Sequence, residues 1–456
     1  MVFANMTFYY YYITTLQGKL KEKNKYTNKK VNKSKQSQSK LCKIKECGMQ
    51  LLDLNTDCLL KIFNYCDEKD LINLSRAHRI LQNVIDNNIF HKLTLDLLMC
   101  GHRHQPDIIK RTHSYLSYAN RLKIAKNWLN GCYREQQYFH RSKMFATKLH
   151  LERNWLYVSY AGYLSQHKRL KAEALQRRYH QEITTSNRAD IADFIKKNDS
   201  IFAGRVTGSC FIYEDGYAYE QQLHPPKEYL RCVDFAGQMY ATSTDNFAKI
   251  WRREEELGLI NLDLVKNLKH SYKTMRFNVS GDRLFGGLYT STSRRALQEI
   301  DLESGCEQDL NSNTISIYDL KLKDDHILFT ANFDTSFRLY DRRSDRDEMI
   351  WEDPFDSSFF CLEYDGLYAV LCGTKYHSRV NLYDIRKPDK HMQLYFPQIN
   401  RRRRGGEFKS SPVYSLACDS RYLFVATDHN VHVLDFKVDC AVSRDYRDIF
   451  RQMYRI

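Results

Sequence analysis

The residues of this chain whose types and spacing could do chemistry are mostly basic. Four consecutive arginines, Arg401, Arg402, Arg403 and Arg404, precede a pair of glycines. A guanidinium pairs bidentately with a carboxylate or a phosphate, and clustering adds the attractions. The run therefore indicates recognition of an acidic or phosphorylated partner, although a solvated loop or a localisation signal can have the same composition.

Motifs for bond chemistry are not found in the sequence. It contains no Gly-rich phosphate loop, no Gly-x-Ser-x-Gly elbow and no His-Glu-x-x-His zinc motif. His102 and His104 lie in a predicted loop, and we interpret them as solvated rather than metal-binding. The 13 cysteines include no Cys-x-x-Cys pair, which favours buried thiols in a reducing compartment. We predict no catalytic residue, no metal site and no cofactor.

The positive charge of the chain is concentrated at its start. The formal net charge is +15, and residues 1–48 contain 11 lysines against 2 glutamates, so they carry +9 of it. This tract is too poor in apolar residues to fold and is predicted to be a disordered basic tail. It could act in nuclear import or touch RNA, but a solvated tail is the simpler interpretation. Met49 follows it directly, which gives the hypothesis that translation starts there.

The elements that must position the basic groups follow an all-β pattern from residue 144 onward. Short apolar strands alternate with turns about every 8–12 residues, and the pattern repeats after about 40 to 50 residues. In most repeats a strand ends in an aromatic or aliphatic residue followed by an aspartate, as at Asp341 and Asp384. Seven repeats are predicted, over residues 144–182, 189–222, 229–265, 272–305, 315–352, 357–396 and 412–445.

Three aspartates recur at a fixed distance, six residues before the end of such a strand: Asp245, Asp334 and Asp428. A carboxylate at that place can accept backbone N–H groups of the tight turn between two strands. In this spacing the region resembles the WD repeats of β-propellers, with these aspartates as the structural turn residues. The resemblance implies a closed ring of blades, most simply seven, with six or eight as alternatives.

A propeller of this kind brings the turns between second and third strands to one rim. That rim is predicted to bind the substrate through Arg205, Arg294, Lys375, His377, Arg379 and the run Arg401–Arg404.

A helical region precedes the repeats. Residues 49–93 hold three short amphipathic segments, with helix caps predicted within Asn55–Asp57 and Asp67–Asp70. Some 40 residues cannot bury enough apolar surface to be stable alone, so the remaining apolar face is predicted to meet another protein. The stretch resembles an F-box, whose apolar pattern is matched by Leu54, Leu59, Ile62, Phe63, Leu71 and Leu74.

Residues 94–143 keep a helical pattern and are predicted to form a linker between the F-box and a propeller at residues 144–456. Asn127-Trp128-Leu129-Asn130-Gly131 is similar to the Asn-Trp-x-x-Gly element that precedes the propeller in F-box/WD-repeat proteins. The order of F-box, helical linker and repeats resembles that family as a whole. The expected fold class is a multidomain α plus all-β protein.

The resemblance implies a function. The six apolar F-box residues would dock on the Skp adaptor of a Skp–cullin–F-box ubiquitin ligase, and the propeller rim would hold a target protein for ubiquitination and proteasomal degradation. Two alternatives remain open, a scaffold that targets nothing for destruction and a nucleic-acid binder that uses residues 19–45 and Arg401–Arg404. No apolar run reaches the roughly 18 residues of a membrane span, and the expected location is cytoplasmic, nuclear or both.

Overall fold

The computed structural model describes residues 51–439, apart from residues 105, 140–142, 172, 257, 389 and 398–410. The predicted basic tail, residues 1–48, and the run Arg401–Arg404 therefore lie outside the described residues. The chain divides into two compact units, Met1–Leu54 and Asn55–Ile456. Of the first unit, the structure describes a 3-10 turn, Leu51–Asp53, and the residue that follows it.

The second unit opens with short helices whose ends are set by polar caps. Helix α1 spans Thr56–Phe63, and the Asn55 side chain accepts a hydrogen bond from the Cys58 N–H at 2.9 Å. Helix α2 spans Glu68–Ala77, and Asp67 accepts one from the Asp70 N–H at 2.7 Å. Each cap satisfies an N–H group that the first helical turn leaves unpaired, which confirms the predicted caps. The remaining helical elements are α3 Arg79–Ile85, a π-type turn Asp86–Phe90, α4 His91–Leu93, α5 Asp107–Arg111 and α6 Tyr118–Leu129.

Seven four-stranded antiparallel sheets form the blades of a β-propeller, which confirms the predicted fold class and blade number. From the innermost strand outward, blade 1 contains β2 Leu149–Leu151, β3 Trp155–Tyr160, β4 Tyr163–Lys168 and β5 Gln181–Ile183. Blade 2 contains β6 Ile191–Lys197, β7 Ser200–Arg205, β8 Ser209–Glu214 and β9 Tyr217–Gln222. Blade 3 contains β10 Leu230–Ala236, β11 Met239–Thr244, β12 Ala248–Glu256 and β13 Leu259–Asn267. Blade 4 contains β14 Tyr272–Phe277, β15 Arg283–Leu288, β16 Leu297–Asp301 and β17 Glu307–Asp309. Blade 5 contains β18 Ile317–Leu322, β19 Ile327–Asn332, β20 Ser336–Asp341 and β21 Arg346–Glu352. Blade 6 contains β22 Phe359–Tyr364, β23 Ala369–Thr374, β24 Val380–Asp384 and β25 His391–Tyr395.

Blade 7 is built from both ends of the propeller. Its inner strands are β26 Ser415–Cys418, β27 Tyr422–Ala426 and β28 Val431–Asp435, and its outermost strand is β1 Arg134–Tyr138. Strand β1 pairs antiparallel to β28, with Arg134 opposite Asp435 and Tyr138 opposite Val431. The propeller therefore starts within the predicted linker and not at residue 144. The polar side chains of β1 hide it from a search for apolar alternation, because the pairing uses backbone groups.

The core is a ring of apolar clusters between neighbouring blades. The cluster between blades 5 and 6, for example, joins Phe329 and Phe337 to Leu362 and Tyr383. Seven of the ten described cysteines are buried, in accord with their prediction as small apolar residues. Nowhere in the described part of the chain is there a helix long and apolar enough to cross a bilayer.

Strand direction distinguishes the two sides of the ring. The innermost strands begin on one side, which also carries the turns between second and third strands and the connections between blades. We call this side the upper face. The turns between first and second strands and between third and fourth strands lie on the opposite side, the lower face.

Candidate functional site

Three of the six residues predicted to bind an adaptor form the interior of the F-box. Leu59, Phe63 and Leu71 are 1%, 1% and 5% exposed, buried among the short helices. Such side chains hold the helices together and present almost no surface to a partner. This corrects the prediction that they dock on an adaptor.

Other apolar residues of the F-box are accessible. Ile62 and Leu74 are half-buried, Tyr65 is 83% exposed and Ile80 is 48% exposed. Unlike the three buried residues, these side chains leave apolar groups accessible to a partner. Leu54, which belongs to the other compact unit, is half-buried.

Trp128 of helix α6 anchors the linker to blades 6 and 7. Its side chain is completely buried, stacks on Phe436 with 3.6 Å between ring centroids, and meets Tyr395 edge-on at 5.6 Å. The Trp128 Nε1–H donates to the Ser420 carbonyl at 2.9 Å, and the Tyr395 hydroxyl donates to the Trp128 carbonyl at 2.7 Å. Aromatic packing and two buried hydrogen bonds thus fix one end of the linker on the propeller.

The residues around Trp128 complete this anchor. The Asn127 side-chain amide donates to the carbonyls of Phe436 at 2.7 Å and Val438 at 3.1 Å. Gly131 has a φ of +63°, the left-handed conformation in which helices commonly end. The Asn-Trp-x-x-Gly element therefore attaches helix α6 to the segment that follows strand β28.

A second contact joins the linker to the lower face. Arg111, at the end of α5, forms an ion pair with Glu363 on the innermost strand of blade 6 and donates to the Tyr364 carbonyl at 3.0 Å. The adjacent turn contains Gly366, whose φ is +85° and whose Cβ, if present, would lie 2.6 Å from the backbone nitrogen of Asp107. Only glycine allows this close approach of turn and helix.

The F-box is held against the same linker. Lys126 of α6 forms an ion pair with Glu68 of α2 at 2.6 Å, and His91 Nδ1 lies 3.1 Å from the Tyr118 hydroxyl. His102, one of the two loop histidines, donates from Nδ1 to a backbone carbonyl at 3.0 Å in this junction. Among the residues that the structure describes, no group of three or more His, Cys, Asp or Glu side chains is placed to hold a metal ion.

Because the linker contacts the lower face and the F-box contacts the linker, the described part of the F-box lies on the lower side of the propeller and not on the upper face.

Two arginines predicted on the substrate rim are buried. Arg205 is 0% exposed, forms an ion pair with Glu220 at 3.1 Å and donates to the Gly162 carbonyl at 3.0 Å. Arg379 is also 0% exposed and forms an ion pair with Asp353. Buried guanidinium groups with such partners connect neighbouring turns and cannot reach a ligand. This corrects their assignment as substrate-binding residues.

The other rim residues that the structure describes remain at the upper face. Arg294 is exposed in a turn of blade 4 with a φ of +58°. Lys375 is half-buried, with its Nζ 5.1 Å from the ring centroid of Tyr376 and 6.0 Å from that of Phe333. His377 is half-buried, and burial lowers its pKa. Arg294 and Lys375 are therefore accessible cations, whereas Arg401–Arg404 lie outside the described residues.

One of the three predicted turn aspartates has the expected geometry. The Asp334 carboxylate accepts a hydrogen bond from the Ser336 N–H at 3.3 Å and another from the Ser336 hydroxyl at 2.6 Å. It also accepts one from Arg338 at 2.6 Å. A charge-assisted network of this kind holds a tight turn.

The other two turns are held differently. Asp245 forms an ion pair with Arg231, and the neighbouring Thr244 hydroxyl accepts the N–H groups of the turn instead. The prediction for Asp245 is therefore wrong, because a hydroxyl one residue earlier does the capping. Asp428 is held through its backbone, whose N–H donates to the Ser411 hydroxyl at 2.9 Å.

Sequence reasoning missed three carboxylates that join blades. Each lies on an innermost strand and accepts a backbone N–H from the innermost strand of the next blade. The pairs are Asp193 with Val233 at 3.2 Å, Asp234 with Phe277 at 2.7 Å, and Asp319 with Leu362 at 3.0 Å. The available signal was an acidic residue inside an otherwise apolar strand of successive repeats.

Known proteins resemble this chain in both parts. The model of the F-box domain matches residues 51–93. Human F-box/WD repeat-containing protein 4 is 24% identical over 405 residues, which cover 86% of this chain and 94% of that protein. The mouse protein of the same name is 25% identical over 331 residues, 70% of this chain and 77% of that protein.

The architecture and the comparisons lead to one assignment. F-box domains typically bind the Skp adaptor, and propellers attached to them bind substrates, generally without catalytic groups of their own. An F-box followed by a propeller fits a substrate receptor of ligases of this type. An F-box, an anchored helical linker and seven blades in this order, together with the two similar proteins, support the assignment of the chain to the F-box/WD-repeat proteins.

Proposed function

We propose that this chain is the substrate receptor of a Skp–cullin–F-box ubiquitin ligase and selects a target protein for ubiquitination and degradation. The observation that supports the proposal is that the F-box is held at the lower face of the propeller, on the side opposite the upper face. The F-box is tied through α6 to the lower face, where Trp128 is buried between blades 6 and 7. The upper face, with Arg294 and Lys375 accessible, is turned away from it.

This placement suits catalysis by proximity. A receptor that holds a target rigidly beside a conjugating enzyme raises the effective concentration of the target's lysines at the reactive thioester. A flexible connection would spread the same lysines over a larger volume and lower that concentration. The chain itself would position the target and leave bond making to the enzyme that the cullin recruits.

The first test is adaptor binding by a folded variant. Leu59→Ala or Phe63→Ala would empty the F-box interior, so a loss of binding could reflect unfolding. Ile62→Asp changes a half-buried surface position and puts a charge where apolar contact is expected. Ile350→Asp, at a 46% exposed isoleucine on β21 of the propeller, is the matched control.

We expect the unmodified chain and Ile350→Asp to recover the Skp adaptor and the cullin in a pull-down, and Ile62→Asp to recover neither. Circular dichroism and thermal melts should show all three proteins folded. A folded, unmodified chain that recovers no adaptor would refute the proposal. Proteins that accumulate in cells when Ile62→Asp replaces the unmodified chain are the targets, and accumulation of none would favour a non-degradative scaffold.

A further inference from the structure

A repeated irregularity of the innermost strands places one residue per blade at the upper end of the ring. In blades 2 to 6, the pairing of the first strand with the second skips one residue near its start, which is a β-bulge. In blade 7, Tyr414 directly precedes the corresponding strand β26. We call these six residues the mouth ring: Ala192, Arg231, Lys273, Tyr318, Phe360 and Tyr414.

One side of the mouth ring is basic. Arg231 forms an ion pair with Asp245. Lys148, just before the innermost strand of blade 1, has its Nζ 3.9 Å from an Asp193 carboxylate oxygen. Within the described part of the chain, Lys273 makes no ion pair or side-chain hydrogen bond, and burial followed by the charge of Lys148 and Arg231 lowers its pKa to about 8. Lys273 is thus a half-buried ammonium group whose charge is opposed by its surroundings.

The other side of the mouth ring is aromatic and continuous. The rings of Tyr318 and Phe360 are 4.8 Å apart between centroids, and those of Phe360 and Tyr414 are 6.4 Å apart. Tyr289, which is 51% exposed, lies 6.2 Å from Tyr318 and 5.9 Å from the Arg231 guanidinium, so it joins the two sides. A surface row of aromatic rings offers a platform for a large apolar group.

The charges at the mouth decide which partner fits it. Asp245 and Asp193 already face Arg231 and Lys148, so Lys273 is the cation left to be neutralised. A single carboxylate would supply one opposite charge and favour the protonated ammonium group. A phosphate dianion or a nucleic-acid backbone would bring more negative charge than this side can balance.

We propose that the mouth ring recognises an extended segment of an unmodified target protein, in which an Asp or Glu carboxylate lies beside a large apolar side chain. The carboxylate binds the ammonium group of Lys273, and the apolar side chain packs on Tyr318 and Phe360. This inference rests on the proposed function, since it names the class of target that the upper face selects.

The test selects ligands without knowing the target. The immobilised full-length chain is used to enrich binders from a random library of short displayed peptides. We expect the enriched sequences to combine Asp or Glu with an adjacent Phe, Trp, Tyr or Leu. The tightest peptide is then synthesised, and its affinity is measured for the unmodified chain and for variants of the mouth ring.

The variants separate the two halves of the site. Lys273→Met keeps the apolar stem of the side chain and should weaken binding roughly 10- to 100-fold. Phe360→Ala should weaken binding of the peptide roughly 10-fold. If the Phe360→Ala variant melts at a lower temperature than the unmodified chain, Phe360→Leu is used in its place. Lys323→Met, directly after β18 on the lower face, and Tyr217→Ala, at a 68% exposed tyrosine on β9, are matched controls that should bind normally.

Several results would overturn the proposal. Enriched peptides without an acidic residue, or unchanged affinity in Lys273→Met, would remove the role of the ammonium group. A peptide whose acid is replaced by phosphoserine and that binds more than about 10-fold tighter would indicate a phosphorylated target. Displacement of the peptide by single-stranded polyuridine would indicate nucleic acid. No adaptor takes part in these measurements, so their failure and that of the adaptor pull-down are distinguishable.

Discussion

Replacement of Trp128 by alanine should free the linker from the propeller without unfolding the blades. The side chain is fully buried against Phe436 and Tyr395, so its removal should cost about 3–5 kcal/mol of unfolding free energy. Trp128→Phe keeps most of the ring packing but removes the Nε1–H that donates to the Ser420 carbonyl, which then keeps only the weak Cys100 Sγ donor, and this should cost about 1–3 kcal/mol. The ranking of the two variants follows directly from these contacts.

Chemical denaturation and hydrogen exchange measure this effect. We expect Trp128→Ala to lower the midpoint of the first unfolding transition and to increase amide exchange across α6, while the strands of blades 2 to 5 exchange as before. Trp155→Ala, at a half-buried tryptophan of blade 1, is the matched control and should leave exchange in α6 unchanged. If both alanine variants lower stability equally, or if α6 stays protected in Trp128→Ala, the anchoring role is refuted.

Three further predictions concern buried charge and buried thiols. Burial raises the pKa of Asp365 to about 6 in the folded protein, above its value near 3.8 in the unfolded chain. The stability that the protonated carboxyl group provides is fully present below pH 3.8 and is lost as pH rises through 6. Asp365→Asn should therefore stabilise the protein at pH 7.5 by up to about 3 kcal/mol, and by less at pH 5. Arg205→Met should destabilise it by about 3–5 kcal/mol because Glu220 loses its buried partner, whereas Arg294→Met should leave stability unchanged. Of the ten described cysteines, native alkylation should label the exposed pair, Cys58 and Cys306, first.

Each of these predictions has a clear contrary result. Equal gains from Asp365→Asn at both pH values, measured by denaturant titration, would show that the carboxylate is not the titrating group. Equal melting temperatures for Arg205→Met and Arg294→Met would contradict the structural role of the buried guanidinium. Early labelling of Cys372, found by peptide mass spectrometry, would contradict a tightly packed blade interior.

Most of the propeller could be predicted from the sequence because each blade repeats a local pattern. Apolar strands recur at similar spacing, and the second strand of each blade is almost entirely buried on both faces. The repeat is therefore recognisable although most of its signature residues are missing. Strand β1 could not be found this way, since Arg-Glu-Gln-Gln-Tyr has no apolar alternation and its partner lies at the far end of the propeller. The place of β1 in blade 7 depends on its long-range pairing with β28.

The candidate site was less predictable, because sequence position does not fix burial. Periodicity identifies Leu59 and Phe63 as apolar, but it does not distinguish a helix face that fills the F-box from one that meets a partner. Topology places Arg205 near the upper rim, yet its burial depends on Glu220 from another strand. The mouth ring is visible in the sequence as a spacing of 39 to 45 residues between Ala192 and Phe360, but nothing in that spacing marks the bulges.

The pairing of β1 with β28 has a consequence for how the protein is made. A ribosome synthesises β1 about 290 residues before its partner strand, a delay of roughly 15 to 60 s at ordinary elongation rates. An apolar strand left without a partner for so long would invite aggregation. The polar side chains of Arg134–Gln137 keep the waiting strand soluble until the last blade emerges and the ring closes. The composition that hides β1 from a reading of the sequence is thus what protects the nascent chain.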